Sequence, residues 1–93
     1  MEYNDIVVAL EEFVFVEVEW FAPFKRKLIF YALPDGVIKW DLYEGNRQAY
    51  HLSHLSSKSI FYHFGLGNLI FDTHQYNSGI GVPILTFEQK RGE

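Results

Sequence analysis

Phe13-Val14-Phe15-Val16-Glu17-Val18-Glu19-Trp20-Phe21-Ala22 is the stretch whose reading decides the fold. Its even positions are Val14, Val16, Val18, Trp20 and Ala22; its odd positions are Phe13, Phe15, Glu17, Glu19 and Phe21. A period of two with one wholly apolar face and one mixed face is the pattern of a β-strand. Pro23 closes the strand, because proline has no N–H to give to a ladder.

Working outward, residues 25–33 form a second strand and residues 37–43 a third. Pro34-Asp35-Gly36 joins them with turn chemistry: proline presets φ and glycine tolerates positive φ. Together they predict a β-hairpin. The third strand puts Ile38, Trp40 and Leu42 on one face and Lys39, Asp41 and Tyr43 on the other. Glu44-Gly45-Asn46 is the next turn, and residues 47–59 read as a short strand followed by a loop. Residues 60–64 and 69–73 read as strand on either side of Gly65-Leu66-Gly67-Asn68. A turn over 75–81 leads to a last strand over 82–88 and a charged tail. Upstream, Asn4 and Asp5 suit the cap of a short helix, whereas the β-branched run Ile6-Val7-Val8 favours a strand. The fold expected is mainly β: a small antiparallel barrel or strongly bent sheet of five to seven strands, with one short helix as the alternative near the N-terminus. No linker, repeat or low-complexity stretch divides residues 1–93, so a single domain is expected. The even faces of the strands place Val16, Val18, Trp20, Phe30, Ile38 and Trp40 in one core.

Composition narrows the function. Of 93 residues, 48% are apolar and 22% charged, the balance of a globular chain. Seventeen aromatic rings give a small core much surface to bury. With no cysteine, disulfides and thiolate metal sites are excluded. Twelve acids against eight bases give a net charge of −4, contrary to direct binding of nucleic acid by phosphate neutralisation. The first 24 residues hold six of the acids (Glu2, Asp5, Glu11, Glu12, Glu17 and Glu19) and no base. No apolar run approaches the roughly 20 residues of a membrane span, and the N-terminus lacks the basic start of a signal peptide. A cytoplasmic protein is expected.

No motif carries catalysis or a cofactor. His51, His54, His63 and His74 show no metal-ligand spacing. Ser53, Ser56 and Ser57 lack a nucleophile elbow, so pairing one with a histidine and Asp72 has no support. Glu17 and Glu19 share a strand face about 7 Å apart by strand rise, but 93 residues leave little room for a sugar cleft around such a pair. Gly65-Leu66-Gly67-Asn68 lacks the Lys-Ser/Thr of a phosphate loop and reads as a bend. Lys25-Arg26-Lys27 reads as a charged opening that discourages edge pairing. The chain is expected to have no enzymatic activity, no cofactor and no metal.

Three stretches resemble the bacterial pleckstrin-homology-like domains: Tyr31-Ala32-Leu33-Pro34-Asp35-Gly36-Val37-Ile38, then Tyr50-His51-Leu52-Ser53-His54-Leu55, then Phe64-Gly65-Leu66-Gly67-Asn68-Leu69-Ile70-Phe71-Asp72-Thr73. The resemblance covers residues 31–73, less than half of the chain. It implies a bent antiparallel sheet and a non-catalytic platform for protein or ligand contacts. That family closes its barrel with a C-terminal helix and commonly accompanies transmembrane segments; neither is expected from residues 1–93.

The function expected is a non-enzymatic β-domain that acts by protein–protein contact. Its candidate partner-binding residues are Glu17, Glu19, Phe13, Phe15 and Phe21, which the alternation puts on one side of the first strand. The alternative is an acidic inhibitor or immunity-type protein that blocks a basic, nucleic-acid-binding site on a target protein. Acids clustered on one exposed face favour the inhibitor, and dispersed acids favour the module. Self-association is compatible with either.

Overall fold

A computed structural model of the chain describes residues 1–21, 24–68 and 84–89. In chain order the elements are helix α1 (Tyr3–Glu12), strands β1 (Phe13–Trp20), β2 (Arg26–Ala32), β3 (Ile38–Glu44) and β4 (Arg47–Ala49), helix α2 (Ser57–His63), a single 3-10 turn (Leu66–Asn68) and strand β5 (Ile84–Gln89). The strands form an antiparallel sheet in the order β4-β3-β2-β1-β5. The stretches expected over 69–73 and 75–81, and the tail beyond Gln89, lie outside the described residues.

The hairpin of β2 and β3 forms as its turn residues require. Gly36 sits at φ +89°, and the Asp35 carboxylate accepts the Val37 N–H at 2.9 Å. The sheet's mainly β, antiparallel character matches the expectation; closure does not. It is open rather than a barrel, with β4 and β5 at its two edges. Helices supply the second layer instead, and a core covered by helices needs no sheet curled over it.

Two segments are helical: residues 3–12, where the sequence favours a strand with a short helix as the alternative, and residues 57–63, which it reads as the end of a loop and the start of a strand. In residues 3–12, Ile6, Ala9 and Leu10 are buried at helical spacing. The Asp5 carboxylate accepts the Glu2 N–H at 2.8 Å, tying down the first turn. Burial of that stripe against the sheet outweighs the few tenths of a kcal/mol, roughly, that each β-branched residue costs a helix. In residues 57–63, the Ser56 hydroxyl accepts the Ser59 N–H at 3.1 Å as N-cap, and Ile60 and Phe61 are fully buried. Gly65, at φ +67°, then turns the chain out of α2.

The core joins Ile6, Ala9 and Leu10 of α1 and Ile60 and Phe61 of α2 to Val16, Val18, Leu28, Phe30 and Leu42 of the sheet. Val16, Val18 and Phe30 are buried as expected, while Trp20, Ile38 and Trp40 are half-buried and pack against the core's margin. Phe13 is the exception to the alternation. It lies opposite Gln89 and Phe15 opposite Glu88, so β1 carries one extra residue there. Such a bulge reverses the phase of the strand. Phe13 is 7% exposed and belongs to the core, whereas Val14 is 48% exposed.

Candidate functional site

Because both described helices pack on one side of the sheet, its other side is the candidate site. Three rows cross it by register. Phe15 stands beside Tyr31, and Tyr31 beside Lys39; Glu17 stands beside Ile29, and Ile29 beside Asp41. The third row runs Glu19, Lys27, Tyr43 and Gln48. Phe15, Ile29, Tyr31 and Tyr43 are half-buried and stand outside the core cluster. The face therefore alternates rings and aliphatic groups with charges of both signs.

Its electrostatics centre on Glu17. Lys27 Nζ lies 3.9 Å from Glu17 Oε1 and 5.5 Å from the centre of the Tyr43 ring. Burial pushes the Glu17 carboxyl above its usual range; the Lys27 charge pulls it back, and the neighbouring Glu19 adds to the rise. Tyr31 is likewise raised, chiefly by burial and then by Asp41 and Tyr43. Asp41 accepts a hydrogen bond from Gln48 Nε2 at 3.2 Å.

The opposite side of the same strands carries a separate polar corner. Arg26 Nε donates to Glu44 Oε2 at 3.0 Å, and the guanidinium lies 4.1 Å from the centre of the Phe24 ring. His51 Nε2 is 2.7 Å from Glu44 Oε1. The Arg26 and His51 hydrogen bonds hold the Glu44 carboxyl below its ordinary range. The basic triplet at 25–27 thus does not guard an edge, as its charge suggested. Strand β2 lies between β1 and β3, and Arg26 and Lys27 each find a partner on opposite faces.

Of the residues the sequence nominated, the structure brings Phe15, Glu17 and Glu19 together on the face of the sheet away from the described helices. Phe21 is half-buried just beyond the end of β1, and Phe13 is removed from the surface by the bulge. Sequence reasoning missed the contributions of Lys27, Ile29 and Tyr31 to this patch; the hairpin register was the signal that places them there. The acids disperse: Glu2, Glu11 and Glu12 belong to the helical layer and Glu17 and Glu19 to the other side of the sheet.

The serine and histidine candidates have local structural roles or no partner chemistry. Ser56 caps α2, and the Ser57 hydroxyl bonds to the Tyr3 hydroxyl. Asp72 and His74 lie outside the described residues. Among the described residues, no three histidine, aspartate or glutamate side chains converge as a metal site, and no helix is long and apolar enough to cross a membrane. No family model, curated protein or solved structure matches the chain.

Proposed function

We propose that this protein is a non-enzymatic interaction module that engages a protein partner through the face of its sheet that lies away from the described helices. One observation carries the reading: Phe15, Ile29 and Tyr31 stand beside a Glu17 carboxyl that burial has already made costly to ionise. An arginine or lysine framed by apolar surface on the partner would supply Glu17 with a charge-assisted hydrogen bond and cover the rings beside it. Dispersal of the acids over both layers supports a module of this kind rather than an inhibitor presenting one acidic surface. The proposal extends the pleckstrin-homology-like resemblance only to a non-catalytic platform, and it places the protein in the cytoplasm, in keeping with a chain free of cysteine.

The test compares wild type with the Glu17→Gln/Glu19→Gln double variant as bait in affinity capture from the native host. Both baits are first shown to melt cooperatively. Loss of a captured protein with the variant, and its release by salt, is the expected result. Equal capture by both baits at low and high salt overturns the reading.

A further inference from the structure

Among the described residues, the outer edge of β3 is only partly covered. Strand β4 pairs with it at Leu42–Ala49, Tyr43–Gln48 and Glu44–Arg47 and then stops. Past Ala49 the chain leaves the sheet through two turns, closed by Ser53 N–H to Tyr50 O and Leu55 N–H to Leu52 O, both 3.0 Å. Between the exposed edge and this departing loop lies a cleft of about 560 Å³. Residues 37–42 all line it, consecutively. Side chains that alternate between faces cannot do that, so the strand's edge is itself the wall.

Backbone phase shows what that edge offers. Leu33 N–H bonds to Val37 O and Gly45 N–H to Lys25 O, each at 2.8 Å, at the two ends of the hairpin. Hydrogen-bonded pairs alternate along an antiparallel ladder, so Lys39, Asp41 and Tyr43 direct their backbone groups toward β2. Ile38, Trp40, Leu42 and Glu44 direct theirs outward. Leu42 and Glu44 meet β4; the N–H and C=O of Ile38 and Trp40 meet no backbone partner among the described residues. Two donors and two acceptors thus stand in the cleft at a two-residue spacing, about 6.8 Å.

We infer that the Ile38–Trp40 edge is a strand-addition site that takes an extended segment of a partner protein, in line with β4 and antiparallel to β3. The cleft also states the segment's chemistry. A residue opposite Trp40 faces the indole and Leu55, whose carbonyl accepts from Trp40 Nε1 at 3.0 Å, so it is apolar. The next residue lies opposite Lys39, an exposed lysine with no ion pair among the described residues, so it is acidic. The third lies opposite Ile38 and is again apolar. Tyr50, Ser53 and Ser56 line the cleft beyond the strand edge, so an entering segment runs between the edge and that loop. This site shares Lys39 with the end of one row of the Glu17 face, but its ladder comes from the backbone of Ile38 and Trp40, which lie outside that face, so backbone methylation of the entering segment lets either reading fail alone.

The test titrates the intact isotope-labelled protein with a synthetic peptide of threonine–valine–glutamate–valine–threonine, acetylated and amidated. Shifts of the Ile38 and Trp40 amides and of residues 50–56 are expected. N-methylation of either valine is expected to weaken binding about tenfold or more, because those N–H groups point into the ladder, while N-methylation of the glutamate changes it less than about twofold. Lys39→Glu is expected to weaken the peptide and to favour one carrying lysine in place of glutamate. Equal sensitivity to all three methylations, shifts confined to the Phe15–Glu19 face, or no shift at millimolar peptide each overturn the inference.

Discussion

Glu17 and Lys27 sit on neighbouring strands but not opposite each other: Glu17 pairs with Ile29 and Lys27 with Glu19, yet their charges approach to 3.9 Å across the diagonal. The pair is half-buried, and burial outweighs the lysine in setting the Glu17 carboxyl. A carboxyl whose folded pKa is raised favours folding when protonated, and that advantage is lost as pH rises from its unfolded value near 4.5 through the raised one. Glu17→Gln is therefore expected to leave stability unchanged at pH 3 and to raise the melting temperature by a few degrees at most at pH 7. Thermal melts at both pH values check this; a lower melting temperature at pH 7 contradicts it.

Glu44 should behave in the opposite sense. Its lowered carboxyl, held by Arg26 and then His51, contributes stability above about pH 4.5 that is lost as pH falls through the folded value. Glu44→Gln is expected to destabilise at pH 7 and to be neutral at pH 2. Urea unfolding at the two pH values provides the measurement.

Phe61 is fully buried and meets the Tyr3 and Phe30 rings at centroid distances of 5.9 and 6.4 Å. Phe61→Ala is expected to cost about 3–5 kcal/mol, a large share of a small domain's stability. Trp40→Phe keeps an aromatic ring but drops the hydrogen bond to the Leu55 carbonyl, and about 1 kcal/mol is expected. Denaturant titration ranks the two; a Phe61→Ala loss no larger than that of Trp40→Phe would contradict the helical second layer.

Gly65 and Gly67 are separable. Gly65 holds φ +67°, so Gly65→Ala is expected to cost about 1 kcal/mol or more whatever space surrounds it. Gly67 has no such backbone; a β-carbon there would lie 3.4 Å from the Met1 carbonyl oxygen, and a smaller loss is expected. Melting curves of the two single variants decide the order.

Sequence alone determined β1, the 26–44 hairpin and the pairing of Val16, Val18 and Phe30 in one core. Period-two alternation and the Pro34-Asp35-Gly36 turn are local, so they act before any distant contact exists. The helices were decided by tertiary structure. Ile6-Val7-Val8 is locally ambiguous, and only a sheet able to bury Ile6, Ala9 and Leu10 together selects the 3.6-residue period. Ile60 and Phe61 follow the same logic, with the Ser56 cap as the one local signal that was there to be read. The site divides likewise. Glu17, Glu19 and Phe15 share a face by alternation, but the bulge that sends Phe13 inward arises from pairing with a strand some 70 residues away in sequence. Where β4 stops is equally non-local: among the described residues Ile38 and Trp40 have no backbone partner on that side, because the chain after Ala49 turns aside to build the loop that carries the Leu55 carbonyl to the Trp40 indole.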